Sequence, residues 1–327
     1  MIPNTEIRNM LGNVILKEER GVAGIRYKKY IDRILEYCEE FVKNTPRMPI
    51  DGFDYTIPIP DSYLFGFDFL ENPKMTVYLK EYADGNLSSG GGTTNINQLD
   101  YLTDDKKLKD IIFNIYGFSY NGKVFERTIT NSIYHEINHC YDWWSRKGKK
   151  SVLTVPKDTG KKCSVIFDNT TFSSYQLVDK FFKDLFYRLF IPTERRALVS
   201  TVYADLKAMK SKRTNFYEDI RETQAGNLLY AFSENLDLNI ERCSIESLQI
   251  CCRALHVDKI SYKNIHEFVS SFKKRVLEEI RKTWKDVGRA ASLWYDEQEE
   301  FKLLREEYIT IDGPWMNTEI KDLKNKT

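Results

Sequence analysis

The chain has almost no net charge. Across 327 residues, 49 Lys and Arg face 48 Asp and Glu, leaving +1, with the two signs mixed along the length. That excludes the one-sided basic footprint of a nucleic-acid binder. One basic cluster, Arg146-Lys147-Gly148-Lys149-Lys150, continues through Lys157, Lys161 and Lys162, and it reads as a solvated loop. No apolar run approaches the length of a membrane helix, so no membrane partner is expected. Met1-Ile2-Pro3-Asn4-Thr5-Glu6 has no basic run leading into an apolar one, so no secretory signal is expected and the chain reads as cytoplasmic. CxxC pairs are missing too. Cys38, Cys140, Cys163, Cys243, Cys251 and Cys252 read as buried reduced thiols, with zinc–cysteine chemistry disfavoured.

What is present is a globular composition. Hydrophobic residues make up 42% and charged residues 30%, which separates the chain from disordered sequences. Tyr30, Ile31, Ile34, Leu35, Cys38, Phe41 and Val42 recur at helical spacing, with Pro46 beyond the end. A Pro- and Asp-rich loop is expected through Asp61. Met75–Leu79, Thr93–Asn97 and Ile111–Tyr116 read as strands, with the glycine-rich Gly85–Gly92 between the first two. After Gly122 the spacing predicts helices near 125–146, 173–190, 192–211, 214–232, 244–256 and 262–309, the last broken near Gly288. Phe268, Phe272, Val276, Ile280 and Trp284 form an i, i+4 stripe expected to pack in a core. The expected architecture is α+β: an N-terminal helix and loop segment over 1–74, a core over 75–211, and a helical part over 212–327.

Histidine is scarce, with 4 in the chain, yet two of them fall in His135-Glu136-Ile137-Asn138-His139. Composition alone would produce such a pentapeptide on the order of a few times in a thousand chains of this kind. Its spacing carries the chemistry. Residues i and i+4 lie one turn apart on one helix face, so His135 and His139 can hold one ion together. Glu136 sits about 100° round the helix, beside a metal and not on it, where it can take a proton from water activated by zinc. Ile133, Ile137, Cys140 and Trp144 mark the core-facing side. Thr128, Asn131, His135, His139 and Asp142 mark an opposite, polar side.

A catalytic zinc usually has three protein ligands and one open position. The longer H-E-x-x-H-x-x-G-x-x-H pattern is excluded, since Asp142 and Ser145 occupy its last two places. His256 and His266 are downstream candidates. Glu194 is the better one: Pro192 suits a first helical position, which puts Glu194 in the first turn, where a carboxylate is favoured by the helix dipole. The small Ala197, one turn on, would allow close approach of another helix.

His135-Glu136-x-x-His139, followed on a later helix by Glu194-x-x-Ala197, resembles the gluzincin metallopeptidases, especially the compact zincin-like proteins of bacteriophages and gut-bacterial mobile elements. The resemblance spans about residues 75–210. It implies a zincin-like fold, a small sheet beside an active-site helix; a Zn2+ ion on His135, His139 and Glu194; and Glu136 as the base in hydrolysis of a peptide or protein substrate. The segment before Ile96 is the candidate sheet edge along which such a substrate would lie, its glycines allowing close backbone approach, with a plain flexible loop as the alternative. Many gluzincins place Asp four residues after the third ligand, where this chain has Leu198. Asn131, Asp142 or a backbone carbonyl is left to orient a histidine; no oxyanion-stabilising residue is identifiable, and Tyr203, though on the right helix, reads as a packed tyrosine. Two other readings stand beside the peptidase: a non-catalytic structural or assembly protein of a phage, which would sit with the virion, and a toxin-like protease acting on a host protein.

Overall fold

The computed structural model describes residues 26–47, 52–82, 90–96, 107–120, 122–124, 126–145, 176–209, 216–255 and 265–296. They fall in two compact units, one within Gly21–Leu153 and one drawn from the rest of the chain. Both together make an α+β protein with ten helices and a small mixed sheet among the described residues. Cys163, His256, the basic cluster from Arg146, Gly85–Ser89 and Asn97 lie outside the described residues.

The unit within Gly21–Leu153 begins with α1 (Lys28–Asn44), whose Ile31, Ile34, Leu35, Cys38 and Val42 are buried along one stripe. Its start is tied down by Asp68, which accepts from Arg26 at 2.7 Å and from the Tyr27 hydroxyl at 2.9 Å. Strand β1 (Tyr55–Ile59) and a single helical turn, α2 (Asp61–Leu64), follow. The short β2 (Leu70–Glu71) pairs in parallel with β5 (Leu108–Lys109). The main sheet runs in the order β1, β3 (Lys74–Tyr82), β6 (Ile112–Tyr120), β4 (Gly91–Thr94), with β7 (Lys123–Val124) also on β6. β3 and β6 are parallel, and the other pairs are antiparallel.

Side chains alternate across a strand with a period of two. Met75, Val77 and Leu79 of β3 and Phe113 and Ile115 of β6 therefore share one buried face. Helix α3 (Glu126–Ser145) lies on β6 and β4, and α1 lies against α3, β1 and β7. The opposite sheet face carries the stacked rings of Tyr78 and Tyr116, 5.2 Å apart, with Phe53 beside both.

The second unit is helical throughout its described residues: α4 (Gln176–Phe190), α5 (Pro192–Ala208), α6 (Phe216–Glu222), α7 (Gln224–Glu234), α8 (Leu236–Arg242), α9 (Ile245–Ala254) and α10 (Ile265–Asp296). The stripe of Phe268, Phe272, Val276, Ile280 and Trp284 is buried, as its spacing predicts, and Phe272 stacks on Phe186 of α4. Helices α5 and α10 are joined by charge as well. Arg195 donates to Glu279 at 3.1 Å and lies 3.6 Å from Asp286.

Several elements depart from the sequence reading. The Pro-rich stretch expected as loop contains β1. Pro58 is tolerated there because β1 ends the sheet, its side chain is exposed, and an edge strand can spare an N–H. The helix expected over 214–232 is two. Thr223 breaks it in an extended conformation, its hydroxyl accepting the Gly226 N–H at 3.0 Å to cap α7. Gly288 does not break α10, which runs continuously to Asp296. Strand β4 takes in Gly91 and Gly92, placed in the sequence reading before the strand.

Candidate metal centre

Helix α3 sets the site because its 20 residues are packed on nearly every side. Ile133, Ile137 and Cys140 are fully buried, as their side of the helix requires. On the polar side, His139 and Asp142 are buried while Thr128, Asn131 and His135 are half-buried, and Thr130, Glu136 and Asn138 elsewhere on the helix are buried too. Trp144, expected in the core, is half-buried, and Trp143 takes the interior place. A buried polar face is costly unless its groups are satisfied, so these residues mark a site more strongly than a solvated face would.

His135 and His139 point the same nitrogens at one place. Their Nε2 atoms are 3.0 Å apart, and the rings meet edge-on at 88° with centroids 4.5 Å apart. His139 is 7% exposed, while His135 is half-buried. The i, i+4 spacing produced this pair as expected.

Glu136 lies against β4 and is 6% exposed. A Cβ built on Gly92 would stand 2.8 Å from its Cγ and 3.4 Å from its Oε1. One pair along the strand, the Thr94 hydroxyl is 3.8 Å from Cys140 Sγ. Burial pushes that thiol far above its ordinary range, so Cys140 packs as a neutral group beside the motif. Gly92 and Thr94 were missed as neighbours of the motif. The signal was present, a glycine run entering Thr93-Thr94, but its direction of close approach is a tertiary fact.

Glu194 lies in the second unit. As its sequence predicts, Pro192 opens α5 and Glu194 falls in the first turn, half-buried. The next residue, Arg195, is the one held by Glu279 and Asp286 of α10. Burial raises the carboxyl of Asp286 above the usual range, against the opposing pull of Arg195. Ala197 is fully buried, and Leu198, standing where many gluzincins carry Asp, is buried as an apolar residue. Tyr203 is buried as well, and His266 is exposed in the first turn of α10. No protein-family model, curated protein or solved structure matches the chain.

Proposed function

We propose that the protein is a zinc-dependent peptidase of the gluzincin kind, with His135, His139 and Glu194 as ligands and Glu136 as general base. The observation that carries this reading is the 3.0 Å approach of the two Nε2 atoms. Two metal–nitrogen bonds of about 2.0–2.1 Å at a tetrahedral angle place their nitrogens about 3.3 Å apart, so the histidines already stand near ligating geometry. Glu194, in the first turn of α5, is the third ligand that this reading adds, on the strength of its place in the sequence pattern. Two imidazoles, one carboxylate and an open fourth position suit catalytic zinc better than a closed structural site.

Such an ion supplies a Lewis acid and makes water a usable nucleophile near neutral pH. Glu136 accepts the proton of the attacking water and delivers it to the leaving amine. Its neighbour β4 ends the sheet, and its outer edge carries no strand among the described residues. An extended peptide can add there through main-chain hydrogen bonds. A peptide or protein is therefore the substrate class. No helix among the described residues is long and apolar enough to cross a membrane, and we place the activity in the cytoplasm.

The buried Leu198 favours a second reading, a non-catalytic protein on the same scaffold, because it removes a carboxylate that elsewhere orients a ligand histidine. Against it stands Glu136, since a structural ion needs no base. Metal analysis of the purified chain decides the first point: about one zinc per chain is expected, lost in His135→Ala and His139→Ala. A wild type that holds no zinc and takes up none on addition ends the proposal. Zinc without cleavage of any peptide in a broad library selects the non-catalytic scaffold.

A further inference from the structure

Residues 90, 92 and 94 of the β4 segment all face α3. A Cβ on Gly90 would meet Thr128 Cγ2 at 1.9 Å, one on Gly92 would meet Glu136 Cγ at 2.8 Å, and Thr94 itself touches Cys140. Gly91 faces the other way and has nothing within 4 Å of its missing Cβ. At Gly92 the second neighbour is Ile115 Cδ1 at 3.1 Å, and Ile115 is fully buried. A methyl group at 92 therefore has no free direction. The atom it would strike is mid-chain in Glu136, so the side chain cannot escape by moving its tip alone. It must change rotamer and carry the carboxylate with it.

We propose that Gly92 is a positioning residue for Glu136: having no side chain, it lets the β4 backbone lie against the glutamate and confines the carboxylate to one place. The consequence for catalysis rests on the peptidase reading; the contact itself does not. Displacing a reacting group by about 1 Å costs on the order of 100-fold in rate.

The test compares Gly92→Ala with Gly91→Ala in the full chain, each also combined with Glu136→Ala. Gly92→Ala should keep about one zinc per chain, measured by plasma emission. It should lower kcat by about 10- to 100-fold with KM moved much less, since a displaced base harms the reacting geometry and not substrate binding. Its melting temperature should fall relative to Gly91→Ala, and that penalty should shrink when Glu136 is already Ala, because only the milder 3.1 Å approach to Ile115 Cδ1 then remains. An active wild type matched in kcat by Gly92→Ala overturns the proposal, as does a melting penalty that is the same with and without the Glu136 side chain. If the wild type binds no metal and cleaves nothing, the peptidase reading falls instead. The melting-temperature cycle alone then decides whether Gly92 places Glu136.

Discussion

The proposed general base must be held in one orientation, and burial beside β4 constrains the Glu136 side chain in that way. Glu136→Gln keeps the shape but removes the proton acceptor. We expect it to lower kcat by about 10²–10⁴-fold while zinc content and melting temperature stay at wild-type values. Equal turnover in peptide-cleavage assays would remove Glu136 from the mechanism. Glu194 is tested by affinity. As a ligand, its replacement by Ala should weaken zinc binding by more than about 100-fold, beyond what loss of a group outside the ligand set costs. As a dipole-compensating glutamate it would change stability by about 0.3–1 kcal/mol and leave zinc binding alone. Titration calorimetry separates the two.

Cys38 gives a pH prediction at the same scale. Burial pushes its thiol from 9.0 up to about 12. The unfolded chain therefore loses this proton at lower pH than the folded one. Stability is unaffected below about pH 9 and falls as pH rises from there toward 12. Urea melts across that window should show the decline, with a shallower slope in Cys38→Ala. Alkylation at pH 8 should leave Cys38 unmodified until the chain unfolds.

Among the elements, the α6–α7 junction is the sharpest example of local chemistry overriding a helical pattern. Apolar spacing runs through it, yet the Thr223 hydroxyl accepts from Gly226 and donates to the Ile220 carbonyl at 2.7 Å. Thr223→Ala removes the cap inside a fully buried site, and we expect a loss of about 1–2 kcal/mol. This should appear as a lower urea midpoint at unchanged m-value. Gly288 shows the reverse. An isolated glycine lowers helix propensity by only about 1 kcal/mol, and the buried Val287, Ala290, Ala291 and Trp294 around it hold α10 together. β1 was hidden because Pro58, Pro60 and the acidic residues Asp54 and Asp61 on either side of the strand resemble a loop. Its strand character depends on β3 supplying the pairing partner.

At the scale of the whole molecule, the α+β class followed from segments whose apolar period changes from two to 3.6. The sheet order did not, since the parallel pairing of β3 with β6 joins segments more than thirty residues apart in sequence. A metal that binds only the folded state adds stability by mass action. Zinc at about 100 times its dissociation constant should raise unfolding free energy by about 2.7 kcal/mol, and EDTA should reverse this in differential scanning calorimetry. An unchanged melting temperature across that range would show that the folded chain has no site for the ion.

The sequence by itself determined that His135 and His139 share one face with Glu136 beside them, that Pro192 starts a helix with Glu194 in its first turn, and that the Phe268–Trp284 stripe is buried. Each of these is a matter of helical period or of a cap, which act over a few neighbouring residues. Only the tertiary structure decided that Glu136, His139 and Asp142 of α3 are buried, that Trp143 and not Trp144 is the interior ring, and that Gly92 lies on Glu136. A period fixes the angle at which a side chain leaves its helix, but what it meets there comes from segments distant in the chain.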